Sequence, residues 1–270
     1  MLVMVGCGET SPETLIDELR VIASVAEPPE VKPGATFDFT SYVANPDDRV
    51  GAMATWVCTN LGEGCIEAAG GTVSLASAAL EGEAQEWTRT LDLASALAPV
   101  VAEGPVTATQ VWTMACRQDT CPVLDAIASL SPTDPWPEEL RNDLANPTTW
   151  MADLPMADVS LAYQLLTASF SDEPHQNPTL TPAADMPTSL TRDQTFSLPF
   201  TVDGDFAEQA QVYGSITGGG FKMPSTYVEA GDTIALEGTA PKDDEEARIW
   251  VTLVDGQGGV AVWTESLPVE

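Results

Sequence analysis

The sequence predicts an all-β protein with two Ig-like antiparallel β-sandwich domains, the first carrying a small helical insertion. Short stretches that alternate apolar and polar residues recur along the 270-residue chain, separated by Pro, Gly, Asn and Asp. The pattern of the first half returns in the second half. Apolar residues form 44% of the chain, which is enough to fill two cores.

The first domain is predicted over residues 20–170 and begins with a strand from Arg20 to Val25. The next strand, Thr36-Phe37-Asp38-Phe39, alternates apolar and polar residues and ends at the turn residues Asn45-Pro46-Asp47-Asp48. Later strands are predicted at regular spacing: Met53 to Cys58, two within Gly71 to Leu93, Val106 to Cys116, and Val159 to Ser169. Short strands separated by turns are typical of a sandwich.

A helical insertion is predicted at about residues 122–155, where the strand pattern stops. Two short helices are expected, and the second opens with Pro137-Glu138-Glu139, which suits the positive end of a helix dipole. Trp136 and Trp150 lie in this insertion. They are candidate contacts for a protein partner or a sugar ring, or they pin the insertion onto the sandwich.

Residues 171–190 hold four prolines among polar residues and are predicted to form an extended linker. The second domain, residues 191–270, follows the order of the first. Gln194-Thr195-Phe196-Ser197-Leu198 repeats the pattern of Ala35-Thr36-Phe37-Asp38-Phe39, and a Gly-rich turn joins two final apolar strands as a hairpin.

Residues 1–19 are predicted to be a signal remnant and tether, with a short amphipathic helix from Thr14 to Leu19. Met4-Val5-Gly6-Cys7 ends an apolar run and resembles the lipobox of bacterial lipoproteins. The resemblance implies that Cys7 is lipidated and that Gly8 permits sorting to the outer membrane. The alternative is a buried strand with a core cysteine.

Four further cysteines form two close pairs in the sequence, Cys58 with Cys65 and Cys116 with Cys121. Such spacing is typical of local disulfides in an oxidising compartment. A zinc site would need CxxC-type spacing or several histidines, and the one histidine, His175, lies in a Pro-flanked loop. The sequence therefore predicts two disulfides and no zinc.

The chain carries 10 Lys+Arg and 41 Asp+Glu, a net charge of −31. This charge repels phosphate backbones, so no nucleic-acid partner is expected. Calcium is the only candidate cofactor, because carboxylates lie at corresponding turns of the two repeats. The alternative is that these acids simply form turns. The weak calcium candidates are Asp47, Asp48, Asp203 and Asp205.

No enzyme is predicted, because the sequence has no GxSxG, HExxH or CxxC motif and one histidine leaves no Ser-His-Asp triad on a scaffold. Paired carboxylates are abundant in a chain with 41 acids. Sequence alone does not show two of them at the separation that a glycosidase needs.

Two stretches resemble uncharacterised surface lipoproteins of myxobacteria: Leu19 to Gly34 and Val254-Asp255-Gly256-Gln257-Gly258-Gly259-Val260. The resemblance implies Ig-like or PKD-like repeats behind a lipobox. We therefore expect a non-enzymatic lipoprotein of the outer membrane or cell surface, on its outer or periplasmic side. It would be a structural, adhesion or accessory subunit, anchored at Cys7 and bound to protein partners. The alternatives are a carbohydrate-binding or carbohydrate-cleaving surface protein using Trp136 and Trp150, and a calcium-stabilised adhesion module.

Overall fold

The computed structural model of the chain describes residues 14–59, 75–93, 101–102, 104–117, 158–206 and 210–270. Strands hold 62% of these residues and helix 2%, which confirms the predicted all-β sandwich fold. The chain divides into two units. The N-terminal unit is Glu18–Gln176, and the C-terminal unit is Asn177–Glu270 together with the segment that ends at Asp17.

The strands follow one another along the described chain with short connections. In chain order they are β1 Leu15–Ile16, β2 Arg20–Glu27, β3 Glu30–Val31, β4 Thr36–Ala44, β5 Gly51–Thr59, β6 Leu75–Leu80, β7 Ala84–Asp92, β8 Val106–Arg117, β9 Val159–Ala168, β10 Thr179–Pro182, β11 Thr195–Asp203, β12 Ala210–Thr217, β13 Gly220–Phe221, β14 Ser225–Val228, β15 Thr233–Thr239, β16 Glu246–Val254 and β17 Val260–Pro268.

The N-terminal unit packs two sheets against each other, one in the order β2-β4-β7 and one in the order β3-β9-β8-β5-β6. Neighbouring strands are antiparallel except for the short parallel pair of β3 with β9. Apart from the two-residue β3, the chain changes sheet between β4 and β5, between β6 and β7, and between β7 and β8. This alternation between two antiparallel sheets is the arrangement of an Ig-like sandwich.

The C-terminal unit repeats this topology with sheets β10-β11-β15-β13 and β1-β12-β16-β17, and β14 also pairs with β12. The strands β4 to β9 of the N-terminal unit correspond, in chain order, to β11, β12, β14, β15, β16 and β17 of the C-terminal unit. In both units a short parallel contact joins the residues after the first strand to the last strand. It is made by β3 with β9 in one unit and by Leu190 with Val269 in the other. The second half of the chain is therefore a structural repeat of the first.

Residues 171–190, predicted as a linker, are shared between the two units. His175 N–H donates to Glu30 Oε2 at 2.8 Å in the N-terminal unit. Residues 179–182 form β10, which pairs with β11, and Leu190 is buried in the core of the C-terminal unit. β-branched threonines on either side of Leu180 favour this strand over an isolated extended segment.

The predicted helix from Thr14 to Leu19 is wrong, because Leu15–Ile16 is a strand paired with β12. A helix of six residues is unstable by itself, whereas pairing with an existing strand satisfies the backbone at once. Other predictions fall outside the described residues: the helical insertion at about 122–155 with Trp136 and Trp150, and the cysteines Cys7, Cys65 and Cys121.

Candidate functional site

The candidate site lies on the outer face of the larger sheet in the N-terminal unit, where β5, β8 and β9 run side by side. Alternate residues of a strand point to opposite faces of its sheet. On β8, Val111 and Ala115 belong to the cores between the sheets, and Thr113 bonds to Ser41 of the opposite sheet. The intervening residues of β8 therefore face outward, among them Trp112.

Three aromatic side chains form a row across this outer face, because Trp56, Trp112 and Tyr163 are directly paired in the strand register. The ring centroids of Trp56 and Trp112 are 6.4 Å apart with planes 10° apart. Those of Trp112 and Tyr163 are 4.9 Å apart with planes tilted by 43°. Trp56 is fully buried and Trp112 half-buried, whereas Tyr163 is 54% exposed. The row therefore runs from the protein interior to solvent.

Leu165 extends the row along β9 and is 44% exposed. It pairs in register with Gln110, whose Oε1 accepts a hydrogen bond of 3.2 Å from Trp112 Nε1. We call Gln110, Trp112, Tyr163 and Leu165 the aromatic face. Its only ionisable group is the phenol of Tyr163, and its remaining side chains are apolar, aromatic or amide groups suited to binding a ligand.

The exposed part of the aromatic face was not predicted from the sequence. A tryptophan within a predicted strand is expected to be buried, as Trp56 and Trp250 are, whereas Trp112 is only half-buried. One signal was available. In β9 large apolar residues occupy both alternating positions, with Tyr163 and Leu165 on one side and Leu166 on the other. A strand of this kind predicts an outward apolar row.

The C-terminal unit exposes a different pair of aromatic residues. Tyr213 of β12 is 39% exposed and Tyr227 of β14 is 65% exposed, two residues out of register from each other. Burial, and then the neighbouring Tyr227, raise the pKa of Tyr213. These tyrosines form no ring pair among the described residues, and so they provide a matched comparison for the aromatic face.

A buried guanidinium lies between the two sheets of the N-terminal unit. Arg89 of β7 donates through one terminal nitrogen to the hydroxyls of Ser41 at 2.7 Å and Thr113 at 3.1 Å, and also to Thr55. Its other terminal nitrogen donates to the carbonyl of Trp87 at 2.6 Å. Burial lowers the pKa of Arg89 to about 9, which keeps it protonated at neutral pH.

Hydroxyl groups around Arg89 connect the two sheets. Ser41 bonds to Ser24 at 3.0 Å and to Thr113 at 2.8 Å, and Thr113 bonds to Thr55 at 3.1 Å. The guanidinium lies 3.9 Å from the ring centroid of Trp87. Its partners among the described residues are hydroxyls, a carbonyl and aromatic rings, none of them a carboxylate. This polar centre is a structural feature of the core and not an open site.

The calcium candidates in the N-terminal unit follow β4. Asp47 accepts a hydrogen bond of 2.7 Å from Arg117, which also bonds to Asp158 at 2.7 Å. Asp48 has a φ of 48°, in the left-handed region that Asp tolerates in turns.

The calcium candidates in the C-terminal unit follow β11 at the corresponding turn. Asp203 accepts from the Gly204 N–H, and the Asp205 carbonyl accepts from Gln257. Within the described ranges, no group of three or more His, Cys, Asp or Glu side chains is arranged to hold a metal. The described contacts are those of turn-forming and ion-paired acids, and calcium binding stays a prediction.

Cys116 is a fully buried residue of β8 and is disulfide-bonded. Its predicted pairing with Cys121 stays a prediction, since Cys121 lies outside the described residues. The same holds for Cys58 with Cys65.

Each unit also has a cleft near its first and last strands. The larger, about 380 Å³, lies in the C-terminal unit and is lined by apolar residues that include Pro182, Met186 and Trp263. The smaller, about 190 Å³, lies in the N-terminal unit beside Val31 and Pro174. The titratable side chains in their linings are Glu265 in the larger cleft and Glu30 and Lys32 in the smaller one.

Comparisons with known proteins provide no family for this chain. Neither a protein-family model nor a curated protein matches the sequence. Among solved structures, red sea bream transglutaminase is 9% identical with a TM-score of 0.27, and covers 94% of this chain and 32% of its own. Salmonella alpha-2-macroglobulin reacted with methylamine is 10% identical with a TM-score of 0.28, covering 93% of this chain and 16% of its own. The chain thus spans a third or less of these proteins, and likenesses at these scores carry no argument about function.

Proposed function

We propose that this protein is a non-enzymatic, lipid-anchored cell-envelope protein that binds a protein partner through the aromatic face of its N-terminal unit. The single observation that supports the proposal is the outward row of half-buried Trp112 with exposed Tyr163 and Leu165. Anchoring at Cys7 and an address at the outer membrane or cell surface come from the lipobox resemblance. In the described part of the chain, no helix is long and apolar enough to cross a membrane.

The aromatic face is suited to protein recognition for two reasons. Contiguous exposed apolar side chains gain free energy when a partner removes them from water. Tyrosine and tryptophan supply large contact areas with few rotatable bonds, so little conformational entropy is lost on binding. Trp112 is further fixed by its ring contacts on both sides and by its bond to Gln110.

The partner that fits this chain is a protein with an apolar contact patch and a net positive charge. With a net charge of −31, the chain repels acidic proteins, including other copies of itself, and attracts cationic ones. The aromatic face itself holds no charged side chain, so the apolar contact determines the dissociation rate. The net negative charge of the chain accelerates encounter with a cationic partner.

The test is an affinity measurement with protein purified from host membranes. Intact mass establishes whether Cys7 carries lipid. We expect a host protein with a basic isoelectric point to bind, and the double variant Tyr163→Ala, Leu165→Ala to weaken this binding by at least about tenfold. Tyr227→Ala, which truncates an exposed tyrosine of the other unit, should leave the affinity unchanged.

Two results would contradict the proposal. One is equal affinity of the partner for the wild type and for the double variant. The other is binding of an oligosaccharide to the aromatic face in a glycan array, lost in the same variant. The second result would favour the carbohydrate-binding alternative.

A further inference from the structure

The segment before the N-terminal unit is built into the C-terminal unit. Leu15 and Ile16 pair in parallel with Ile216 and Thr217 of β12, and Ile16 is 1% exposed. Thr14 completes this contact, because its hydroxyl accepts from the Phe221 N–H at 2.8 Å and lies 3.4 Å from the Phe221 carbonyl. We call residues 14–16 the strap.

The strap closes an edge that the C-terminal unit does not fill with its own sequence. Strand β14 pairs with β12 over residues 210–213, and the strap pairs with it at 216–217. An uncovered strand edge presents unpaired N–H and C=O groups. Two separate segments therefore share one edge of β12, and the second comes from the start of the chain.

We infer that the membrane attachment of this protein is carried by the C-terminal unit, at the strap. The inference rests on the proposed lipid anchor at Cys7. Sequence order alone would attach the anchor to the N-terminal unit, which follows it directly. The strap reverses this expectation, because the chain reaches the C-terminal unit at Thr14 before it enters the N-terminal unit at Glu18.

The covalent chain limits the distance from the lipid to the strap. Seven peptide units join Cys7 to Thr14, and a fully extended chain of that length spans at most about 25 Å. Thr14 contacts Phe221, and the next residue, Lys222, has a side chain that is 49% exposed. When Cys7 is embedded in a bilayer, Thr14 therefore lies no more than about 25 Å from it, and Lys222 is next to the residue that Thr14 contacts.

Lys222 makes this placement measurable, because the chain has only three lysines, Lys32, Lys222 and Lys242. The full chain, purified from host membranes, is placed in vesicles that contain phosphatidylethanolamine and treated with a short amine-to-amine crosslinker. We expect a phospholipid adduct on Lys222, identified by peptide mass. Lys222→Arg should remove that adduct.

Variants of the strap distinguish two possibilities: attachment through the pairing of the strap with β12, and attachment through the covalent chain alone. Ile16→Asp places a charge in a buried position and should release the strap from β12. The lipid on Cys7 would then no longer be held near Lys222, so the adduct on Lys222 should fall by at least about fivefold. Thr14→Val removes the bonds to Phe221 while keeping the side-chain shape, and should lower it less. Val50→Asp makes a similar change at a site that is 59% exposed and should leave the adduct unchanged. Hydrogen exchange in β11 and β16 checks that the C-terminal unit stays folded in the strap variants, and exchange in β4 and β8 does the same for the N-terminal unit in Val50→Asp.

The outcomes are distinguishable from failure of the proposed function. A chain without lipid on Cys7, shown by intact mass, would overturn the anchor and this inference together. A lipidated chain with no adduct on Lys222, or with an adduct that Ile16→Asp does not reduce, would overturn this inference alone.

Discussion

The two units share one topology but fill the middle of the sandwich in opposite ways. β4 and β11 begin with equivalent threonines, so Ser41 of the N-terminal unit corresponds to Phe200 of the C-terminal unit, and both are fully buried. The strand residue paired with Phe39 is Arg89, whereas the one paired with Leu198 is Leu236. A guanidinium and hydroxyls thus take the place of aromatic and aliphatic side chains.

The opposite sheet differs in the same sense. In the N-terminal unit Thr55 is paired with Thr113. At the corresponding position of the C-terminal unit, Gly214 is paired with Val251. A Cβ atom added at Gly214 would lie 2.7 Å from the ring of Phe221, so glycine is what admits this ring. The C-terminal unit therefore has one continuous apolar cluster. In the N-terminal unit the polar centre lies between two separate clusters.

This comparison shows what the sandwich requires of its centre. An interior must be filled to close packing, and each buried polar group needs a hydrogen-bond partner. Phe200 and Phe221 meet the first requirement by volume alone. Arg89 meets the second requirement only in part. One terminal nitrogen bonds to hydroxyls of the two sheets and the other to the Trp87 carbonyl, while its Nε has no hydrogen-bond partner among the described residues. Its plane packs on Trp87. The same strand order therefore accommodates either an apolar or a polar centre.

The largest effect is expected from emptying the apolar centre. Phe200→Ala should destabilise the C-terminal unit by about 3–5 kcal/mol, because a fully buried ring is removed and its contact with Trp263 is lost. Hydrogen-exchange mass spectrometry would show faster exchange in β11 and β16 but not in β4 and β8. Loss of protection in both units would contradict the separate cores described above.

A smaller effect is expected from emptying the polar centre. Arg89→Ala should cost the N-terminal unit about 2–3 kcal/mol, since it leaves a cavity between Phe39 and Trp87. Arg89→Met should stay within about 1 kcal/mol of the wild type, because it restores volume and removes a desolvated charge while the hydroxyls bond to one another. Urea unfolding followed by exchange in β7 measures both variants. An Arg89→Met variant as unstable as Arg89→Ala would show that the guanidinium bonds, and not its volume, stabilise the centre.

A still smaller effect is expected from the pH dependence of stability, compared between the wild type and Arg89→Met. Burial lowers the folded-state pKa of Arg89 to about 9, well below its ordinary value. The buried charge of protonated Arg89 therefore lowers the unfolding free energy. This cost is fully present below pH 9 and falls as the pH rises above 9 towards the ordinary pKa of arginine. Between pH 8 and pH 10 the wild type should gain about 1 kcal/mol relative to Arg89→Met. A constant difference between the two proteins over this range would contradict the lowered pKa.

The smallest effect on stability is expected at the aromatic face. Tyr163→Ala should change the unfolding free energy of the N-terminal unit by less than about 0.5 kcal/mol, because its side chain is mostly exposed. Tyr227→Ala in the C-terminal unit should behave alike, which makes the two variants a matched pair. Thermal unfolding of both measures this. A large loss for Tyr163→Ala alone would mean that the tyrosine serves the fold and not a partner.

Much of the fold could be predicted because period-two alternation exposes inward positions in the sequence. In β4 the inward residues Phe37, Phe39 and Val43 identify the core face, and the same pattern in β11 identifies the repeat. Ser41 and Arg89 share this alternation with apolar neighbours. The polar centre was therefore visible in the pattern, although which groups meet across the sandwich was not.

The strap and the aromatic face were beyond the reach of local patterns for different reasons. Pairing of Leu15 and Ile16 with β12 depends on an open edge formed some 200 residues later, which no local periodicity reports. Tyr163 and Leu165 lie within the predicted strand Val159 to Ser169, but alternation does not say whether the outer face of a strand is covered. Trp136 and Trp150, the predicted contacts, lie outside the described residues.

The most direct test of the central claim is photo-crosslinking in the living host, with benzoylphenylalanine placed at position 163 or at position 227. The account predicts a single covalent adduct of defined mass from position 163, containing a basic protein, and none from position 227. Raised salt should reduce the yield, because the acidic surface speeds the encounter. No adduct from position 163, or equal adducts from both positions, would contradict a partner site on the aromatic face.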